Sequence, residues 1–340
     1  MSTPTLEVRN VGKTFSKGLI QKEHLVALSD FSLAFHDDQP RITTVAGESG
    51  SGKTTLALLV LGLLTPSQGQ VLYRGRDVWR MSTAEWSVFR REVQAVFQDP
   101  FEVYNPFYKV DHVLQTVVRK FGLARDRAHE RELIQEALEV LGLTPEEVLG
   151  KYPHQLSGGQ RQRIMVARAF LPKPRLIVAD EPVSMVDASL RALILENMLR
   201  LKRDYNISFL YITHDLSTAY QISDEIYVLY LGRVAEHGGI EDVMQRPQHP
   251  YTRLLLGSVP VPSPEVRWQG RVELPPEDEI RRVTAGGCPF AARCPHVMAM
   301  CRESPPPLYE VGPGQYASCF LHRDRPVKAE GHAAGLALPR

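Results

Sequence analysis

An excess of charge of one sign is the first thing this sequence lacks: 40 Lys and Arg face 39 Asp and Glu over 340 residues, a net charge of +1. A chain so balanced has no general electrostatic footprint for nucleic acid, so any phosphate it holds must be held locally. Long hydrophobic runs are missing too. The longest, Leu56 to Leu64, falls far short of the ~20 apolar residues that span a bilayer. The opening MSTPTLEVRN has neither a basic start nor an apolar core, so no secretory signal is expected there. The chain is expected in the cytosol, with membrane association only through a partner. Cysteine is scarce: Cys288, Cys294, Cys301 and Cys319 are the only four, and all fall near the C-terminus. In a cytosolic protein such a cluster suggests metal more than disulfides. No internal repeat of solenoid period is visible. What remains is an ordinary globular composition, 43% hydrophobic, and a length that suggests about two domains.

Against that background one stretch stands out. Residues Val45 to Thr55 read VAGESGSGKTT, the P-loop pattern of Gly47, four residues, then Gly52-Lys53-Thr54. Glycines let successive backbone N–H groups turn toward an anion, and the apolar helix that follows presents its positive dipole end there. Lys53 is expected to reach the β- and γ-phosphates of a nucleotide and Thr54 to ligate Mg²⁺. An apolar strand, Ile42 to Ala46, feeds the loop, which supplies the strand, glycine loop, helix order that the motif requires.

Around this centre the pattern is that of an α/β domain. Alternation in LEVRNV and the run VALSDFSL suggest two strands between Leu6 and Leu33. Phe15 ends the first; it is placed either to stack on a purine or to sit half-buried. Short strands VLY and VQAVF flank an amphipathic stretch around Trp86 and Phe89. Gln98 follows, then a proline-punctuated loop in which Phe101, Tyr104 and Phe107 are expected to form an exposed aromatic patch. The spacing of Leu133, Ile134, Ala137, Leu138 and Leu141 predicts helix over Val113 to Leu143. HQLSGGQRQR opens a further helix, with Ser157 as a good N-cap and two glycines leaving amides uncovered at its positive end. Leu176 to Ala179 reads as a strand buried on both faces and ends in Asp180-Glu181, where parallel sheets bind ligands. A helix over Ser189 to Leu201 precedes another buried strand, SFLYIT, which ends at His214. Strands around Ile226 to Leu231 and Arg233 to Glu236 follow. Beyond the short helix HPYTRLLL, the segments VPVPSP and LPPEDE read as a proline-rich linker, and the last residues look frayed.

In order and spacing these motifs resemble the nucleotide-binding subunit of an ABC transporter, over about Leu6 to Leu256. Gly47 to Thr54 match Walker A, Gln98 the Q-loop, Leu156 to Gln160 the LSGGQ signature, Asp180-Glu181 the end of Walker B, and His214 the switch histidine. Ser184-Met185-Val186-Asp187 stands at the D-loop, where the family usually has Ala-Leu in the middle. The resemblance implies a P-loop NTPase fold with an antiparallel β subdomain and a helical subdomain (about 99–170) within residues 1–258. It further implies a small Cys-rich C-terminal domain within residues 259–340.

ATP would be held by Phe15, Gly47, Glu48, Ser49, Gly50, Ser51, Gly52, Lys53, Thr54 and Thr55. Because family sites form between two nucleotide domains facing head to tail, Ser157, Gly158, Gly159, Gln160 and Asp187 would close over the ATP of the partner. Thr54, Gln98 and Asp180 would hold Mg²⁺. Glu181 would act as general base on the attacking water, Gln98 would sense the metal and water, and His214 would contact the γ-phosphate.

More narrowly, KYPHQ before the signature, HPYT after the domain and GCPFAARC near the C-terminus resemble the dipeptide/oligopeptide and nickel uptake branch. Two stretches depart from it: DDQPR before the third strand, and FEVYNPF after the Q-loop, where this family contacts its membrane subunits. The expected partners are a second nucleotide-binding subunit, as a heterodimer, two transmembrane permease subunits and, indirectly, an extracytoplasmic solute-binding protein. No nucleic acid is expected, and the protein would sit peripherally on the cytoplasmic face of the plasma membrane. The alternatives are a soluble ABC ATPase acting on ribosomes or DNA, and an efflux ATPase. A single P-loop without long coiled-coil insertions weighs against the first and the peptide-branch tail against the second.

Some members of that branch hold an iron–sulfur cluster on their C-terminal cysteines. Here the cysteines lack the close pairs usual for zinc, and the proline-rich, apolar-poor tail needs a staple to fold. A 4Fe-4S cluster on Cys288, Cys294, Cys301 and Cys319 is therefore expected, with zinc as the alternative.

Overall fold

The computed structural model describes residues 3–17, 23–98, 104–258 and 286–328. The expected linker, the frayed C-terminal residues and Phe101 lie outside them.

The strands are β1 (Leu6–Lys17), β2 (Glu23–Phe35), β3 (Ile42–Ala46), β4 (Gln68–Tyr73), β5 (Arg76–Asp77) and β6 (Val93–Val96), followed by β7 (Leu176–Asp180), β8 (Ser208–Thr213), β9 (Glu225–Tyr230), β10 (Arg233–Gly239), β11 (Tyr309–Gly312) and β12 (Gln315–Ala317). They make two sheets. The smaller is antiparallel, in the order β2-β1-β4-β5, and buries Leu6, Val8, Phe31 and Leu33. The larger runs β11-β12-β10-β9-β3-β8-β7-β6.

Its centre is parallel, and β3, β7 and β8 are buried at every position, which is why their sequences are continuous rather than alternating. Register places the motifs along one edge. Ala46 pairs with Thr213, Asp180 with Ile212 and Val96 with Ala179, so the residues just beyond each strand all emerge at the carboxyl end of the sheet.

The helices that matter here are α1 (Lys53–Val60), α2 (Thr83–Glu92), α3 (Asp111–Lys120), α4 (Arg127–Val140), α5 (Gly158–Phe170), α6 (Ala188–Tyr205), α7 (Leu216–Ile222) and α8 (Pro250–Gly257). The single helix expected over 113–143 is two. The amides of Gly122 and Leu123 close back on the carbonyls of Arg119 and Val118, ending α3, and Asp126 caps the start of α4 by accepting from the His129 amide. Leu138, Leu141, Ile164 and Phe170 share one core with Ile177 and Tyr211, so the helical subdomain is packed continuously onto the sheet.

The expectation of a separate cysteine-rich appendage needs revision for the described residues. β12 pairs with β10 through Glu236 opposite Ala317 and His237 opposite Tyr316, and extends the main sheet. Phe290, Tyr309 and Phe320 share a core with Val228, Tyr230 and Tyr251. The reason is that β10 would otherwise be an open edge with unpaired backbone groups. Inside this seam the Gln315 amide donates to the buried Glu236 carboxylate at 2.8 Å.

Candidate nucleotide site

The loop between β3 and α1 depends on glycine at two close approaches. Gly47 has φ 152°, and a Cβ there would sit 2.2 Å from the Leu229 carbonyl oxygen; at Gly52, φ 103°, it would sit 2.3 Å from that of Ala27. The loop is braced from β2 and from the β9–β10 turn, where the Gly232 amide donates to Ser51 O at 3.0 Å. Ser51 Oγ is buried without a hydrogen-bond partner among the described residues. Uncommitted donors at the head of a helix fit an anion.

Lys53, the first residue of α1, folds back over the loop, and its Nζ donates to the carbonyls of Gly47 at 2.7 Å and Glu48 at 2.8 Å. Burial pushes its ammonium below the ordinary lysine range, while Glu181, Asp180 and Glu48 pull the other way. Asp180, at the end of β7, is pushed up by burial and held back in part by the neighbouring Thr54 hydroxyl. Thr54 and Asp180 are thus neighbours, and both offer the oxygen that a hard cation such as Mg²⁺ takes as ligand. Glu181 follows in a left-handed conformation, φ 49°, that is rare outside glycine; such strain costs of order 1–3 kcal/mol. It turns the carboxylate to the switch segment. Glu181 Oε1 accepts from the His214 amide at 3.0 Å and lies 2.7 Å from His214 Nδ1. His214 is otherwise open, its side chain 62% exposed.

The remaining expected residues surround this edge. Gln98 is exposed just past β6. Phe15 is exposed on β1 with the Lys13 ammonium 5.2 Å from its ring centre. Ser157 caps α5 as expected: its hydroxyl accepts from the Gln160 amide at 3.2 Å, and the Gln160 side chain accepts from the Ser157 amide at 3.0 Å. Ser157 and Asp187 are both exposed. Gly159 is buried against Leu190, whose Cδ1 is 2.5 Å from where a Cβ would stand, so the signature helix and α6 meet there.

The aromatic patch is a different object from the one expected. Tyr104 is buried, and its hydroxyl donates to the Arg161 carbonyl at 3.0 Å, pinning the loop to the signature helix. Phe107 is exposed. A polar rim made the loop look like surface, and no local signal distinguished inward-facing Tyr104 from outward-facing Phe107.

No disulfide joins the four cysteines, and burial pushes the thiols of Cys288 and Cys319 up to about 11, with the other cysteines adding to the rise. Among the described residues no group of three or more His, Cys, Asp or Glu is gathered to hold a metal ion. Neither the expected cluster nor zinc therefore gains support from the geometry.

Sequence reasoning missed two contacts to the phosphate loop. The Glu48 amide donates to the Tyr251 hydroxyl at 3.0 Å, and the Glu48 carboxylate is gripped by Arg293 from the cysteine-bearing segment. Arg293 lies inside the GCPFAARC run that drew attention for its cysteines alone.

Comparison with known proteins bears on the whole arrangement. The family model described as ABC transporter matches residues 28–184. That for the C-terminal region of oligopeptide/dipeptide transporters matches residues 235–301. A putative oligopeptide transport ATP-binding protein of Bacillus subtilis is 37% identical over 96% of this chain and 98% of its own length. The chain belongs to the ABC-transporter ATP-binding proteins of the oligopeptide/dipeptide group. Another relative of this ABC group, a dipeptide transport ATP-binding protein of Haemophilus influenzae, is 36% identical over 94% of this chain and 97% of its own. The ABC fold is shared with a dimeric, ADP- and phosphate-bound ATP-binding cassette, MJ0796, at a TM-score of 0.60 and 25% identity, over 69% of this chain and 98% of that one. It is shared also with cbiO1 of Clostridium perfringens, TM-score 0.62, over 72% and 92%. As an ABC ATPase the protein uses ATP and Mg²⁺. Among the described residues no helix is long and apolar enough to cross a membrane.

Proposed function

We propose that this ABC ATPase powers import of peptides or a related small solute, from the cytoplasmic face of the membrane, through two permease subunits fed by a solute-binding protein. The observation that carries the reading is the single edge on which Lys53, Asp180, Glu181 and His214 converge. On this reading Lys53 exchanges the carbonyls of Gly47 and Glu48 for the β- and γ-phosphates, which the loop's uncommitted amides, that of Glu48 not among them, cradle. Glu181, held by His214, orients and polarises the attacking water as general base, and His214 then meets the γ-phosphate. Thr54, Asp180 and Gln98 would hold Mg²⁺, which supplies charge neutralisation to the phosphates.

Ser157, Gly158, Gly159, Gln160 and Asp187 serve the ATP of a second nucleotide-binding subunit, a heterologous one. The exposure of Ser157 and Asp187 supports a second subunit at this face, as does the dimeric form of the MJ0796 cassette; neither bears on whether that subunit is a different chain. Phe15 stacks on the base. Residues 1–258 form the nucleotide domain and residues 259–340 the proline-rich linker and the Cys-rich C-terminal unit, of which the described residues 286–328 pack on the nucleotide domain. A groove of about 480 Å³ beside the Q-loop, lined by Phe97, Tyr108, His112 and Phe121, together with the exposed Phe107 on the adjoining loop, receives a helix of the permease.

The four cysteines are proposed as ligands of a 4Fe-4S cluster that staples the C-terminal segment. The reading rests on the resemblance of GCPFAARC to the peptide branch and on the spacing of the four cysteines, and on no metal geometry among the described residues. Transport in vesicles carrying the chain with permease subunits and a binding protein tests the central reading. ATP-dependent uptake of a labelled peptide, lost with Lys53→Ala, is the expected result; hydrolysis coupled to export would overturn it.

A further inference from the structure

The second residue of the phosphate loop carries a carboxylate, an awkward group beside a triphosphate. Every polar group of Glu48 is nevertheless committed. Its amide goes to Tyr251, its carbonyl accepts from Lys53, and both carboxylate oxygens accept from the Arg293 guanidinium, at 2.8 and 3.0 Å. Arg293 arrives from 245 residues away in sequence. Its side chain is 10% exposed, lies 5.6 and 5.7 Å from the ring centres of Tyr230 and Phe290, and donates to the Tyr230 hydroxyl at 3.3 Å. Its Nε is buried without a partner among the described residues. An arginine so placed is costly to bury, and the two-toothed bond to Glu48 is what compensates it.

We propose that Arg293 is a positioning residue for ATP: it neutralises Glu48 and holds that carboxylate away from the phosphates and from Lys53. The inference rests on reading residues 47–55 as the phosphate site. Lys53 already feels Asp180 and Glu181 as well as Glu48. Without Arg293, the Glu48 carboxylate competes with the incoming phosphates for the lysine and repels them directly. The effect falls on binding rather than on the chemical step, because Glu48 belongs to the ground-state cradle and Glu181 does the chemistry. Seating of the C-terminal segment and affinity for ATP are thereby linked, and the linkage is reciprocal.

A double-mutant cycle in the full-length chain tests this, read as Mg-ATP affinity by titration and as KM against kcat in the assembled transporter. Arg293→Gln is expected to weaken ATP binding about tenfold, equivalent to about 1.4 kcal/mol, with kcat at saturating ATP within about twofold. In a Glu48→Gln background the same change is expected to alter affinity less than about twofold, because the carboxylate to be restrained is gone. Equal losses in the two backgrounds would assign Arg293 to packing alone and overturn the proposal, as would unchanged affinity. Should Arg293→Gln not fold, Arg293→Lys keeps the charge and loses the fork. It is expected to weaken binding about threefold, again only when Glu48 is present. A wild-type chain that bound no ATP would overturn the phosphate-site reading itself, a failure visible before any variant is made.

Discussion

His214 Nδ1 lies 2.7 Å from Glu181 Oε1, and the His214 amide donates to that same oxygen at 3.0 Å. One carboxylate oxygen is thus fixed by the switch segment and the other is left to act. Replacing Glu181 by Gln keeps the shape and removes the base. Turnover is expected to fall by ~10²- to 10⁴-fold, roughly 3–5.5 kcal/mol of barrier, while ATP binding persists. Steady-state ATPase assays and nucleotide titration of the purified variant check this; hydrolysis near the wild-type rate would remove Glu181 from its role.

Tyr104 and Phe107 separate packing from docking. Tyr104→Ala removes a buried ring and the bond to Arg161, and is expected to destabilise the fold by about 3–5 kcal/mol. Phe107→Asp touches an exposed ring and is expected to leave the melting temperature within a degree or two, roughly the scale of a neutral surface change, while reducing ATP-driven uptake. Denaturant melts beside vesicle transport distinguish the two, and the reading fails if Phe107→Asp transports at the wild-type rate.

His249 sets an acid limit. Its Nδ1 accepts from the Tyr251 amide, and burial, with a small contribution from His322, holds its ring down to about 3. Above the ordinary value of 6.5 the ring is neutral folded and unfolded, and contributes nothing to pH dependence. Below it the unfolded chain takes a proton that the folded chain refuses, so stability is lost as pH falls from about 6.5 to about 3, by up to ~1.4 kcal/mol per pH unit. His249→Asn, which keeps an acceptor for the cap, is expected to flatten the decline between pH 7 and 5 by about 2 kcal/mol. Parallel unfolding curves for the two proteins across that range would show that His249 titrates normally.

The cysteines give a prediction with a chemical readout. Anaerobic purification is expected to yield brown protein with about four irons and equal acid-labile sulfide per chain. Cys294→Ser is expected to lose the iron and to speed proteolysis of the C-terminal segment. Stoichiometric zinc without sulfide, in protein kept from oxygen, would reject the cluster.

The nucleotide machinery was legible in the sequence because its chemistry is local. Gly47 to Thr54 must be contiguous for successive amides to face one anion. Asp180, Glu181 and His214 end strands whose continuous apolar runs mark them as buried on both faces. The Ser157 cap is likewise written within four residues. These readings need no knowledge of which strand lies beside which.

What only the tertiary structure decided depends on distant pairing. Tyr104 turns inward because α5 offers it the Arg161 carbonyl. The C-terminal segment joins the main sheet because the edge of β10 needs a partner, and β12 supplies one some 80 residues later, at Glu236 opposite Ala317. Arg293 meets Glu48 only once that segment is seated. Sequence periodicity reports which face of an element is apolar, but not which remote group will satisfy a buried charge. That choice is made by the closure of the whole chain, where an unpaired carboxylate or guanidinium costs too much to leave alone.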